Sequence, residues 1–240
     1  MATASDITAT PFAFSATASR LAADRARDAV QERGNQSLVA ERELVRQLGR
    51  RYASCTLDNY QIDDRLAAVQ QAAQKKVVAD VTDYIENVQA NVVAGRGLLL
   101  FGTVGTGKDH LMAACCLAAC QADLVVVWKN ASDIFTAGKA TWGKRDAATI
   151  EDILKPLERC DVLALSDPIP PVGDIDHHEV RWLQSLIDRR YRDNRPTWIT
   201  MNATDGNDAR RALSSQVVDR LAHGALVCEM KWPSYRRVAG

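Results

Sequence analysis

Hydrophobic and polar positions change rhythm several times along this chain, and each change marks an element. Between Arg20 and Arg51 charges of both signs alternate with a few large apolar residues (Leu21, Val30, Leu38, Leu44, Val45, Leu48), and Gly34-Asn35 divides the run. That pattern predicts two weakly amphipathic helical pieces. Helices with so thin an apolar stripe dock on something larger, either their own domain or a partner, and the sequence leaves both readings open. After the extended stretch Cys55-Thr56-Leu57-Asp58-Asn59-Tyr60, apolar residues recur at steps of three and four (Leu66, Val69, Ala73, Val77, Val81, Ile85, Val88), which predicts one long helix from Asp64 to about Val92. Past Gly95 the texture becomes short β-rich runs: Gly97 to Phe101, Leu124 to Trp128, Val162 to Leu165, Thr197 to Met201 and Ala225 to Glu229. The intervals between them are long enough for crossover helices. Strand and helix in alternation predict an α/β fold, a parallel sheet covered on both faces.

Composition narrows the class. Lys+Arg and Asp+Glu are equal at 30 each, which argues against a protein that coats duplex nucleic acid through net charge, although a local basic groove is compatible with it. No apolar run approaches the roughly 18 residues of a membrane span. Met1 to Ser19 is rich in Ala, Ser and Thr with Asp6 as its only charge, and reads as a floppy tail rather than a secretory signal. The six cysteines include no CxxC pair, and three of them (Cys115, Cys116, Cys120) share one helical stretch. That usage suits buried apolar fillers in a reducing compartment, so a cytoplasmic location is expected. The expected organisation is a tail over 1–19, a helical segment over 20–60 available for partner docking, and the α/β domain over 61–240.

One loop of that domain carries candidate chemistry, and it is the source of an ATP expectation. Directly after the first β run stand Gly102-Thr103-Val104-Gly105-Thr106-Gly107-Lys108, then Asp109 and an apolar helix. Strand, glycine loop, lysine and helix form the phosphate-binding arrangement, in which backbone N–H groups and a helix N-terminus surround a polyphosphate. The position after the lysine normally carries Ser or Thr, whose hydroxyl ligates Mg²⁺. Here it is Asp109. A carboxylate about 4 Å from a polyphosphate is repelled by about 4 kcal/mol at an effective dielectric of 20, more than the helix dipole returns. Asp109 therefore either binds Mg²⁺ directly or suppresses nucleotide binding. The third β run ends in Ser166-Asp167, with a hydroxyl where a carboxylate is usual and the acid one position later. An ordinary buried strand explains this stretch too. Taken together, the two departures suggest that Asp109 and Ser166 have exchanged roles as Mg²⁺ ligands, with Asp167 beside them. Loss of hydrolysis in a degenerate, non-hydrolysing adaptor is the competing account.

The chain resembles the AAA+ ATPases of the DnaC helicase-loader and IstB transposition-helper family over roughly Cys55 to Arg237. The residues carrying the likeness are Cys55 to Tyr60, Gly105 to Leu111, Asp188-Arg189-Arg190-Tyr191 with Arg195-Pro196-Thr197, Val218-Asp219-Arg220-Leu221, and Trp232 to Arg236. The resemblance implies a five-stranded parallel sheet with the fourth strand between the first and third. It also implies that Asn202 sits between the phosphate loop and Asp167 to orient water, that Arg220 is an arginine finger acting on a neighbouring subunit, and that Arg236 stands where a second sensor would, on a domain without a full lid. Implied partners are a replicative helicase or a transposase, further copies of the chain assembling on ATP, and single-stranded DNA. In this family the helix between the second and third strands touches DNA, and here Phe135, Lys139, Trp142, Lys144 and Arg145 place aromatics among cations, as base stacking with phosphate neutralisation requires. A solvated basic helix face explains the same residues. His177-His178 lacks a third ligand at metal spacing and reads as the start of a helix capped by Asp176.

Overall fold

The computed structural model describes residues 38–143, 148–170 and 175–236. The fold below is that of the compact unit Ala40–Gly240. The tail and the helical stretch before residue 38 lie outside the described residues.

Helix α1 (38–52) places Leu44 and Leu48 one turn apart on the main core, where both are buried. Two leucines at that spacing are enough to fix a thin helix, since each buried side chain contributes about 1.5–3 kcal/mol. The compact unit begins at Ala40. The predicted long helix is in fact two, α2 (Ala68–Glu86) and α3 (Val88–Val93), parted at Asn87. The buried Asn91 side chain donates to the Tyr84 carbonyl, satisfying an acceptor that the break would otherwise leave in the core.

The remaining elements are β1 (Leu98–Gly102), α4 (Lys108–Gln121), β2 (Val126–Asn130), α5 (Ala131–Lys139), α6 (Ile150–Arg159), β3 (Val162–Ser166), α7 (His177–Arg192), β4 (Thr197–Met201), α8 (Gly206–Leu213), α9 (Ser215–Ala222) and β5 (Leu226–Met230). Capping boxes start α6 (Thr149 with Asp152) and α7 (Asp176 with Glu179). Among the described residues the strands form one parallel sheet in the order β2-β3-β4-β1-β5, so β4 lies between β1 and β3 as the resemblance implied.

Alternate side chains divide the core into two layers. Leu98, Leu100, Val162, Ala164 and Trp198 pack beneath α1, α2 and α4, while Leu99, Leu163, Leu165, Ile199 and Met201 pack beneath α6 to α9. Burial on both faces is why these strands read as continuous apolar runs. The edge strand β2 is partly covered by α1, whose Gln47 Oε1 accepts the Trp128 N–H at 2.8 Å. The C-terminal ends of β1, β3 and β4 lie side by side, and crossover connections leave on both sides of them. That is where parallel α/β sheets bind ligands.

Candidate nucleotide site

The loop after β1 is shaped by its glycines. Gly105 (φ +81°) and Gly107 (φ +93°) hold left-handed backbone, and a Cβ at either would strike Ser234 or the Tyr60 ring. The walls that come so close are two remote segments, and they lock the loop. Tyr60 Oη and Trp232 Nε1 both donate to the Thr106 carbonyl, at 2.9 and 3.1 Å, and the Tyr235 N–H donates to the Gly105 carbonyl at 2.9 Å. Thr103 Oγ1 donates to the Trp232 carbonyl at 3.2 Å. Lys108 opens α4 and is buried. Its Nζ donates to the carbonyls of Gly102 and Thr103 at 3.1 and 2.7 Å. Burial lowers its pKa, and the carboxylates of Asp167 and Asp109 oppose that shift.

Asp109 points toward the strand ends. Its Oδ1 accepts from Thr200 Oγ1 at 2.8 Å and from Ser166 Oγ at 3.4 Å, and its Oδ2 from Tyr52 Oη at 3.5 Å. The two positions singled out by their departures from the usual pattern, 109 and 166, are thus in contact across 57 residues of sequence. Asp167 has φ +47° and donates its N–H to the Thr200 carbonyl at 3.0 Å, while Asn202 Nδ2 donates to its Oδ1 at 2.9 Å. Burial, and then the nearby Asp109 charge, push the Asp167 carboxyl up to about 6; Lys108 and Arg236 pull the other way.

Val104 to Asp109, Asp167, Asn202 and Arg236 line one cavity of about 370 Å³, together with Arg51, Tyr52, Asn59 and Tyr60. Gly102 and Thr103 form the floor behind Lys108, and Ser166, 4% exposed, lies behind Asp109. An extended polyphosphate fits this enclosure, which offers glycine-loop N–H groups, a helix N-terminus and the cations Lys108 and Arg236. Asp109, Asp167 and Ser166 supply the hard oxygen donors that Mg²⁺ prefers.

Arg220 stands apart. It lines a second cavity, with Gly95, Gly97, Asn194 and Thr197, at the end of the sheet where the strands begin. Its Nη1 pairs with Asp188 Oδ1 at 2.5 Å, though neither atom makes a directed hydrogen bond among the described residues. In its own chain it is therefore remote from the phosphate loop.

The aromatic and basic cluster separates into parts. Phe135 is 7% exposed and belongs to the core, so its ring is not offered to a base. Lys139 Nζ is paired with Glu179 at 2.7 Å. Trp142 is 53% exposed and packs against His178 and Trp182, with ring centroids 5.4 and 6.0 Å away. Lys144 and Arg145 lie outside the described residues. Asp176, which caps α7, has its carboxylate close to His177 and His178, all three exposed.

Sequence reasoning gave no site role to Tyr52, Arg51, Tyr60, Thr200 or Trp232. Tyr60 and Trp232 stand in stretches that carry the family likeness, which was a usable signal. Thr200, inside an apolar run, had none.

The model of the family described as IstB-like ATP-binding protein matches residues 25–239. The chain belongs to this family. It is 27% identical to the replicative helicase loader DnaC of Escherichia coli strain K12 over 217 residues, covering 89% of this chain and 83% of that protein. It is 31% identical to a putative insertion sequence ATP-binding protein of Sinorhizobium fredii over 215 residues, covering 84% of this chain and 67% of that one. Among solved structures it superposes on the DnaC helicase loader with a TM-score of 0.62 at 21% identity, covering 76% of this chain and all of that one. A replication initiator, DnaA, bound to AMPPCP and single-stranded DNA, matches with a TM-score of 0.56 at 20% identity, covering 78% of this chain and 51% of that one. At those identities the superpositions speak to the fold alone, and the fold is the AAA+ P-loop domain. This family member is an ATP-binding AAA+ protein related to a replicative helicase loader and to an insertion sequence ATP-binding protein, and among the described residues no helix is long and apolar enough to cross a membrane.

Proposed function

We propose that this protein is a nucleotide-gated assembly factor that delivers or remodels a DNA-acting partner, a replicative helicase or a transposase, in the cytoplasm. One observation carries the reading: the phosphate loop with its Lys108, and Asp167, Asn202 and Arg236 from three other parts of the chain, converge on a single cavity. In this reading Lys108 and the loop N–H groups bind the ATP phosphates, and Arg236 adds positive charge from the C-terminal segment. Asn202 holds Asp167 with its carboxylate turned to the cavity, where a water would be oriented. Asp109 and Asp167 would hold Mg²⁺ with Ser166 behind them, and when bound the cation supplies the charge that lets a carboxylate and a triphosphate share the loop. Arg220, remote from its own loop, acts on the nucleotide of a neighbouring copy. Trp142 offers single-stranded DNA a stacking surface, and the segment before residue 38 docks the protein partner.

The test is a calorimetric titration of ATP into the parent and into Lys108→Ala. Binding is expected to vanish in the variant, because Lys108 is the loop's own side-chain cation. Unchanged affinity in folded Lys108→Ala would overturn the reading. A pull-down with the N-terminal segment, offered helicase and transposase separately, then distinguishes the partner.

A second reading, a non-hydrolysing adaptor, draws on the raised pKa of Asp167, which records burial first and repulsion from Asp109 second. The two readings differ in sign for one substitution. Asp109→Thr impairs Mg²⁺-dependent hydrolysis if Asp109 is a metal ligand, and Ser166→Asp added to it restores activity. Asp109→Thr tightens nucleotide binding, with no hydrolysis in parent or variant, if the site is degenerate.

A further inference from the structure

The reading of Asp109 as a metal ligand leaves open what aims its carboxylate. In the usual loop a short Ser or Thr hydroxyl needs no guidance, whereas an Asp side chain has an additional rotatable bond and two oxygens. Thr200 lies in the middle strand β4, is fully buried, and donates to Asp109 Oδ1 at 2.8 Å. Ser166, its register partner on β3, approaches the same oxygen only to 3.4 Å, beyond the 2.5–3.0 Å expected of a good O–H···O contact. The other oxygen, Oδ2, meets only the distant Tyr52 hydroxyl at 3.5 Å among the described residues, on the side where Tyr52 lines the cavity. One oxygen of Asp109 is therefore fixed by a strand that cannot move without disturbing the core, and the other faces the nucleotide cavity.

We infer that Thr200 is a positioning residue for the divalent-cation site, holding Asp109 Oδ1 so that Oδ2 is presented to a cation. This rests on Asp109 being a metal ligand. It assigns the compensating hydroxyl to β4 rather than to Ser166, and gives a reason for a fully buried hydroxyl in the middle strand. A buried hydroxyl needs an acceptor, and here that acceptor is the carboxylate the site requires. A purely structural Thr200 would make the same bond, so the test has to separate presentation of the metal from stability.

The full chain is titrated with ADP and with a non-hydrolysable ATP analogue, in EDTA and in Mg²⁺, for the parent, Thr200→Val, Thr200→Ala, Thr200→Ser and Ser166→Ala, with thermal melts alongside. Mg²⁺ is expected to tighten binding by the parent. Thr200→Val and Thr200→Ala should lose about tenfold of that tightening, the scale of one hydrogen bond to a charged group, with affinity in EDTA unchanged. Thr200→Ser should retain it, and Ser166→Ala should lose less than Thr200→Val. The two hydroxyl-free variants provide independent readings should one of them fold poorly. Full Mg²⁺ tightening in either folded variant overturns the inference while leaving Asp109 as ligand, as does an equal loss with and without Mg²⁺. A parent that binds nucleotide without any Mg²⁺ tightening removes the ligand role of Asp109 and the inference together.

Discussion

Asn202 Nδ2 donates to Asp167 Oδ1 across 2.9 Å and so ties the end of β4 to the end of β3 at the phosphate site. The bond survives replacement of Asp167 by Asn, because the amide oxygen accepts as the carboxylate does. That makes the charge of Asp167 separable from its geometry. Its carboxyl has an ordinary value of 3.8 and is pushed up to about 6 in the fold, by burial first and the Asp109 charge second. The folded protein thus holds this proton more tightly than the unfolded chain does. Ionisation costs stability, in full above about pH 6, and the cost fades as pH falls from about 6 toward 3.8. Asp167→Asn should therefore raise nucleotide-free stability at pH 7.5, by about 1 kcal/mol or less because the carboxylate is only partly desolvated. Urea melts at pH 7.5, 5 and 4 should show the advantage shrinking with pH. A constant or inverted difference would contradict the assignment.

The Thr106 carbonyl takes hydrogen bonds from both Tyr60 and Trp232. Each should contribute about 0.5–1.5 kcal/mol, and because they share one acceptor their loss should not be additive. Tyr60→Phe, Trp232→Phe and the double variant, compared by denaturant unfolding, should show the second loss exceeding the first, since only then is the carbonyl left bare. Simple additivity would mean that the two donors act independently.

Arg190 is fully buried and donates to the carbonyls of Leu157, Cys160 and Pro196 at 2.7, 2.9 and 2.6 Å, and to Thr197 Oγ1 at 3.1 Å. Arg190→Met fills similar space but leaves those acceptors unpaired, so a loss of about 3–5 kcal/mol is expected from urea denaturation. Arg190→Lys should recover only part, because one ammonium cannot reach all the acceptors spread around the edge of the planar guanidinium at Nε, Nη1 and Nη2. A loss below about 1 kcal/mol for Arg190→Met would mean water reaches the site.

Arg220 faces Asp188 rather than its own phosphate loop. If it acts in trans, Arg220→Ala should lower ATP turnover by about 10³-fold or more with little change in subunit ATP affinity. Mixing it with Lys108→Ala, each inactive alone, should restore activity at interfaces that combine an intact loop with an intact arginine. A mixture no better than either parent, with assembly confirmed by light scattering, would rule out action across an interface.

Trp142 is the exposed aromatic of the α5 cluster among the described residues, so the burden of base stacking falls on it. Trp142→Ala should weaken single-stranded DNA binding by about 1–3 kcal/mol, whereas Lys139→Gln should change the salt dependence only slightly because Glu179 already pairs with that ammonium. Fluorescence anisotropy across a salt titration measures both. Unchanged binding in Trp142→Ala would reduce the cluster to a solvated helix end.

What the sequence determined by itself was whatever is encoded locally. The five β runs were legible to within two residues because buried parallel strands are short apolar blocks, and the phosphate loop because its glycines and lysine must be consecutive for backbone N–H groups to converge. Asp109 and Ser166 were each visible as a departure from the usual pattern, yet their contact was a matter of topology: insertion of β4 between β1 and β3 brings Thr200 to the pair, and no periodicity announces a hydroxyl 91 residues from the carboxylate it holds. Tertiary packing also decided Phe135, whose aromatic character served a stacking reading and a core reading equally until the helix settled on the sheet. The same holds at Asp188 to Tyr191, a run marked by family likeness. Only the fold showed that Arg190 bolts strand starts together while Asp188 holds Arg220, because a charge's role depends on which neighbours remove its water, and those neighbours are distant in sequence.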